Sequence, residues 1–277
     1  MKPIVFPRSK LVSADLLTQE SQRAATDQDE AAAEGSLPAE HAAAELPRTL
    51  TRVVEVDPLR LESERILPPG ATGMHGGPYK MLRTQVLQRL DKLGANTIAV
   101  LGTTADTGKT LTAINLSIAI AAEHERHALL VDLDLRKPSI HRRLGVEPLA
   151  GIDDCLRRGR SPRDAMLRLG GYERLTVLPA RERCLDSSEL LAQRRSEELL
   201  TEMRERYRDR VLVFDLPPVL QADDALVFAR HVQAALVVVS EGRTRRDDLR
   251  RAVELLRDVP IIGTVLNGTR EPAENYY

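Results

Sequence analysis

The strongest constraint on this chain is a repeated alternation of short apolar runs with stretches of helical spacing. Thr97-Ile-Ala-Val-Leu101, Ala128-Leu-Leu-Val131, Leu175-Thr-Val-Leu178, Val211-Leu-Val-Phe214, Ala235-Leu-Val-Val-Val239 and Ile261-Ile-Gly-Thr-Val-Leu266 offer almost no polar side chain to water. A strand apolar on both sides must be covered on both sides, which is the situation of a parallel sheet between helices. The intervals supply the helices. Tyr79, Leu82, Val86, Leu87 and Leu90 share one helical face before Gly94, and Leu111, Ile114, Ile118 and Ala121 share another. Residues 187–207 and 245–258 carry further helices. The expectation is an α/β fold with a mainly parallel sheet flanked by helices on both faces. In such a sheet ligands sit at the carboxyl ends of the strands.

Composition narrows the function. The 277 residues carry a formal net charge of −1, so no global basic field draws the chain to nucleic acid. Aromatic residues make up 3% and tryptophan is absent, which argues against a surface that stacks bases. Cys155 and Cys184 form no metal-type spacing and no disulfide framework, which fits a cytoplasmic setting. No apolar run approaches the ~20 residues of a spanning helix, so any work at the inner face of a membrane requires recruitment by a partner. Residues 13–45 are rich in Ala, Glu, Asp, Gln and Ser. Pro47, Pro58, Pro68-Pro69-Gly70 and the glycines at 73, 76 and 77 then read as a linker. Residues 1–75 are therefore expected to be a disordered tail and linker, and 76–277 the folded domain.

Three strand ends carry the chemistry. Gly102-Thr-Thr-Ala-Asp-Thr-Gly-Lys-Thr110 leaves a buried strand and opens a helix, the setting in which Gly-Lys-Thr reads as a phosphate loop. Backbone N–H groups of Thr103, Thr104, Ala105, Asp106, Thr107 and Gly108, with the helix start at Lys109, Thr110 and Leu111, would surround a triphosphate. Lys109 supplies a cation for the phosphates, and the Thr110 hydroxyl a ligand for Mg²⁺. Thr103 stands where such loops usually begin with Gly, and Asp106 puts a carboxylate near the phosphates, although Asp can adopt a left-handed backbone at modest cost and point outward. At the second strand end, Asp132 and Asp134 are two apart and suited to Mg²⁺ ligation or to accepting a hydroxyl proton. At the third, Asp215 ends an apolar strand before Pro217-Pro218 and reads as a metal anchor. Asp223 and Asp224 follow, as pocket residues or as a helix cap. No Asn-Lys-x-Asp guanine motif is present, which favours ATP. Asn267 either meets a base edge or caps a turn.

Together these strand ends resemble the bacterial tyrosine kinase family of capsule and exopolysaccharide production. The similarity continues through Ala113-Ile-Asn-Leu116, Arg136-Lys-Pro-Ser139, Leu178-Pro-Ala180, Ser188-Glu-Leu-Leu191 and Gly263-Thr-Val-Leu-Asn267, from about Pro78 to Tyr277. It looks closest to the subgroup that accompanies exosortase-type systems. The resemblance implies a phosphate-loop NTPase fold and ATP-dependent tyrosine autophosphorylation. Lys109 and Thr110 would take the Walker A positions, Asp132, Asp134 and Arg136 the second Walker motif, and Asp215 Walker B. One of Asp132 or Asp134 would activate the tyrosine hydroxyl. Tyr276 and Tyr277 would be the phosphoacceptors, phosphorylated between subunits of a homo-oligomer. A membrane polysaccharide co-polymerase, or chain-length determinant, would be the partner. The family's Glu-x-x-Arg-x-x-Arg ring helix reads here Gly77-Pro-Tyr-Lys-Met-Leu-Arg83. Two other readings stay open: a nucleotide-binding regulator with weak or no catalysis, and a partition-type ATPase. The latter usually carries an early second lysine where this chain has Thr103 and Thr104.

Overall fold

The computed structural model describes residues 51–269. Residues 1–50, most of the expected tail, and the terminal segment with Tyr276 and Tyr277 lie outside the described residues. The strands are β1 (Arg52–Val54), β2 (Thr97–Gly102), β3 (His127–Asp132), β4 (Leu167–Leu169), β5 (Leu175–Leu178), β6 (Arg210–Asp215), β7 (Ala234–Ser240) and β8 (Ile261–Asn267). They form one sheet in the order β1-β4-β5-β3-β6-β2-β7-β8. Every pairing is parallel except β4 with β5. The apolar runs thus lie where their lack of polar faces requires, with β2 buried at every residue. Leu167-Arg168-Leu169, too short to stand out, adds the antiparallel element.

Alternate strand residues point into two cores. Ile98, Val100, Leu130, Val213 and Leu236 meet α2 (Gly73–Leu93), α3 (Lys109–Ala121) and α4 (Ile140–Leu144) on one face. Ala99, Leu101, Leu129, Val131 and Phe214 meet α5 (Ile152–Arg158), α6 (Pro162–Ala165), α7 (Ser187–Leu191), α8 (Arg194–Arg206), α9 (Asp224–Ala229) and α10 (Arg246–Leu255) on the other. From Thr110 to Ala121 every residue of α3 is buried. A helix enclosed on all sides fixes the loop that precedes it.

The expected boundary at residue 75 is corrected. Residues 51–72 are folded onto the domain: β1 extends the sheet beside β4, and α1 (Pro58–Ser63) packs on α4. Asp57-Pro58 is a helix start rather than a break. The Asp57 carboxylate accepts from Leu59 N at 3.0 Å, and Pro58 occupies the first turn, where its missing N–H costs nothing. Leu61, Ile66 and Leu67 are buried. Asn115 of α3 clamps this strap, accepting from Leu67 N at 2.9 Å and donating to Arg65 O at 3.0 Å. The glycines at 73, 76 and 77 belong to α2, and a Cβ on Gly76 would collide with the Ala71 carbonyl. The helix expected over 187–207 is two. Gln193 turns extended (φ −69°, ψ 145°), and the Ser196 hydroxyl captures Leu190 O at 2.7 Å, which ends α7 and starts α8.

Candidate active site

The parallel register aligns the last residues of β3 and β6, so that Asp132 stands directly opposite Asp215. β2 lies on the other side of β6, and its phosphate loop curls over their ends into α3. Lys109, the first residue of α3, is carried back over these carboxylates. Its Nζ lies 2.8 Å from Asp134 Oδ2, 3.3 Å from Asp215 Oδ1 and 3.2 Å from Thr110 Oγ1. The Thr110 hydroxyl donates to Asp215 Oδ2 at 2.6 Å. Three segments distant in sequence therefore meet in one buried cluster.

The loop is held from several sides. Val219 N donates to Gly102 O at 2.9 Å and Leu220 N to Thr103 O at 3.2 Å, tying it to the segment that follows Asp215. Asn267, at the end of β8, donates to Thr107 O at 2.8 Å. It sits so close to Gly108 that a Cβ there would run into its amide, and Gly108 also needs the left-handed backbone (φ 89°). Of the two roles open to Asn267, the turn-holding contact is the one present. Asp106 adopts φ 57° and is exposed, so its carboxylate stays out of the loop's interior. Thr104 is half-buried and Ala105 exposed, whereas the Leu111 side chain belongs to the core and leaves only its backbone for a ligand.

Asp132 and Asp134 do different things. Asp132 is fully buried, and its oxygens accept from Asp134 N at 3.2 Å, Ser139 N at 3.0 Å and Ile140 N at 3.0 Å. It shapes the loop. Asp134 gives Oδ1 to Lys137 N at 3.1 Å and turns Oδ2 to Lys109. Arg136 leaves the cluster altogether. It grips Asp224, with contacts to Asp223 and Ser187, none of which the sequence marked as its partner. The acidic pair at 223–224 was visible, but pairing it with Arg136 needs the fold.

Electrostatics follow from burial. Desolvation raises the Asp132 pKa to about 8, helped by the neighbouring Asp215 charge and opposed by the amides of Ile140 and Ser139. Burial also raises Asp215, against the pull of Lys109 and Thr110. For Lys109, burial alone would lower the pKa, but the Asp215 and Asp134 charges outweigh it and the ammonium is held. Three acidic side chains surround one ammonium, and a divalent cation would favour the charged forms of Asp132 and Asp215 over the protonated forms that burial favours.

The residues fit Mg²⁺ and a triphosphate. A Thr hydroxyl and a carboxylate are hard oxygen donors of the kind Mg²⁺ takes, one or two from protein and the rest from phosphate and water. Among the described residues no cluster of three or more His, Cys, Asp or Glu side chains forms a ready-made metal cage, and such a site needs none. The hydroxyls of Thr103 and Thr107 and the Asn267 carbonyl are buried without a hydrogen-bond partner. Unpaired buried polar atoms carry a penalty that a bound polar ligand relieves.

Known proteins are similar to this chain in sequence and fold. The tyrosine-protein kinase YwqD of Bacillus subtilis (strain 168) is 24% identical over 220 residues, which is 79% of this chain and 91% of that protein. The tyrosine-protein kinase wzc of Salmonella typhi is 28% identical over 199 residues, 71% of this chain but 27% of its own length. Among solved structures, the kinase domain of Escherichia coli tyrosine kinase ETK matches with a TM-score of 0.64 at 26% identity, covering 72% of this chain and 77% of that one. No protein-family model matches the chain. The chain thus spans nearly all of YwqD but about a quarter of wzc. No helix among the described residues is long and apolar enough to cross a membrane. In sequence and fold, the domain that carries this phosphate loop and its strand-end carboxylates is thus similar to these bacterial tyrosine kinases.

Proposed function

We propose that the protein is an ATP-dependent tyrosine autokinase that regulates exopolysaccharide or capsule synthesis and export. The observation that carries the reading is the contact of Lys109 Nζ with both Asp134 (2.8 Å) and Asp215 (3.3 Å) beneath the phosphate loop. It supports the reading because it brings together the side chains proposed as phosphate-binding cation, metal anchor and proton acceptor. The Thr110 hydroxyl and Asp215 would hold Mg²⁺, which when bound would supply charge neutralisation for the transferred phosphoryl group. Lys109 exchanges its carboxylate partners for phosphate oxygens when ATP binds. That exchange frees Asp134 Oδ2 to accept the proton of the attacking tyrosine hydroxyl. Asp132 is the weaker candidate for the base, because its oxygens are committed to backbone amides. The adenine amino group is a donor suited to the unpaired Asn267 carbonyl oxygen.

Tyr276 and Tyr277 are the proposed acceptors, presented to a neighbouring copy in a homo-oligomer. A membrane polysaccharide co-polymerase is the proposed partner that brings the protein to the inner face of the membrane. The test is phosphopeptide mapping after incubation with Mg-ATP, with and without the partner's cytoplasmic segment. The reading expects phosphate on Tyr276 and Tyr277 and none in Tyr276→Phe/Tyr277→Phe. A tail left unmodified with the partner segment present overturns it.

A further inference from the structure

The clamp around Arg136 lies outside the triphosphate cluster. Asp224 begins α9 and is fully buried. Arg136 meets it side-on, with Nε at 3.1 Å from one oxygen and Nη2 at 2.9 Å from the other, while the Ser187 hydroxyl donates to it at 2.6 Å. A buried carboxylate persists only when it is paired and hydrogen-bonded, and here Arg136 is the partner of opposite charge. Asp223 adds a contact at 2.9 Å, but its side chain is 64% exposed and screened by water.

We propose that Asp224, with Ser187, is a positioning residue that holds Arg136 and through it sets the 133–139 loop so that the Asp134 carboxylate faces Lys109. The catalytic part of this inference rests on the kinase reading above; the mechanical part does not. The loop is pinned from within by the three amides on Asp132 and by the buried side chains of Leu133 and Leu135. Cys184 N holds Leu135 O at 2.8 Å. On its outer side the pin is Arg136, two residues from Asp134 and bonded to the starts of α7 and α9. Three strand-end segments, those following β3, β5 and β6, are joined at this point. The third also carries Asp215, so a shift of the metal anchor is transmitted to the proposed base.

Two measurements on Asp224→Ala, Arg136→Ala and the double variant test this. The first is amide hydrogen exchange without nucleotide. Both single variants should lose at least about tenfold protection at residues 134–140 while β2 and β6 keep theirs, and the double variant should lose no more than the worse single. Ser187→Ala, which keeps the charge pair, should show a smaller loss at the same amides. Should Asp224→Ala not fold, Asp224→Asn and Ser187→Ala carry the same comparison. Unchanged protection at 134–140, or an equal loss across the whole sheet in every variant that folds, overturns the inference. The second is autophosphorylation kinetics. Loss of positioning lowers kcat by about 10–100-fold, with KM for Mg-ATP within about threefold. A raised KM with unchanged kcat contradicts it. An unlabelled wild type defeats the kinase reading instead, and the exchange result then decides this inference alone.

Discussion

The two ends of the sheet place charge in opposite ways. At the carboxyl end, Lys109, Asp132, Asp134 and Asp215 are nearly or fully buried, out of balance in charge, and set among hydroxyls that lack partners. At the amino end a cavity of about 410 Å³ is lined by Arg126, Arg204, Arg208 and Arg210, interleaved with Asp91, Glu205 and Asp209. There most of the charges are exposed or half-buried, and Arg126 pairs with Asp91 in a two-pronged contact at 2.9 and 3.0 Å. Open volume does not mark the functional end. Desolvated charge that awaits a counterion does, because only there would a bound cation and phosphate change the local free energy by several kcal/mol.

Breaking the carboxyl end should have the largest effect. Lys109→Met is expected to abolish phosphate transfer. It should also destabilise the fold by about 3–5 kcal/mol near pH 8, since two buried carboxylates lose their cation. The loss should shrink as pH falls, because burial holds the Asp215 carboxyl above its ordinary value and favours its protonated form. Denaturant unfolding across that fall in pH, beside a labelling assay, checks this.

Asp215→Asn sharpens the comparison by separating function from stability. Nucleotide affinity in Mg²⁺ should fall about 10–100-fold, while the melting temperature holds or rises. Asp215 has a raised folded pKa, so its contribution to stability is complete below about pH 4, the unfolded carboxylate value, and is lost as pH rises through the folded one. The Asn variant should therefore lose part of the decline in stability between acid and neutral pH. A lower melting temperature with unchanged affinity would reverse the assignment. At the amino end, Arg126→Ala should cost less than about 1 kcal/mol, because both partners of the pair are substantially exposed. It should leave labelling unchanged.

Much of this was legible in the residues. The apolar strands announced a sheet covered on both faces, and the three strand-end motifs announced which loops converge, because parallel topology brings carboxyl ends to one edge. Residues 52–67 were not legible. Pro58 and Pro68-Pro69 read as breaks, and only tertiary contacts, chiefly the Asn115 clamp, order that strap. The different duties of Asp132 and Asp134 were also hidden. Alternation along a strand puts both carboxylates on one side, but it does not say which oxygens the loop's own amides claim. Arg136 illustrates the same limit: its partner Asp224 lies 88 positions away, and no local signal pairs the two.

The most direct test of the convergence of Lys109, Asp134 and Asp215 on a metal-bound triphosphate is calorimetric titration with ATP, in Mg²⁺ and in EDTA, between pH 6 and 8. The account predicts strong dependence on Mg²⁺, proton release on binding, and affinity that rises with pH, because Asp132 and Asp215 hold protons too tightly when no cation is bound. Equal affinity in EDTA, or binding with no proton release at any pH in that range, would contradict it.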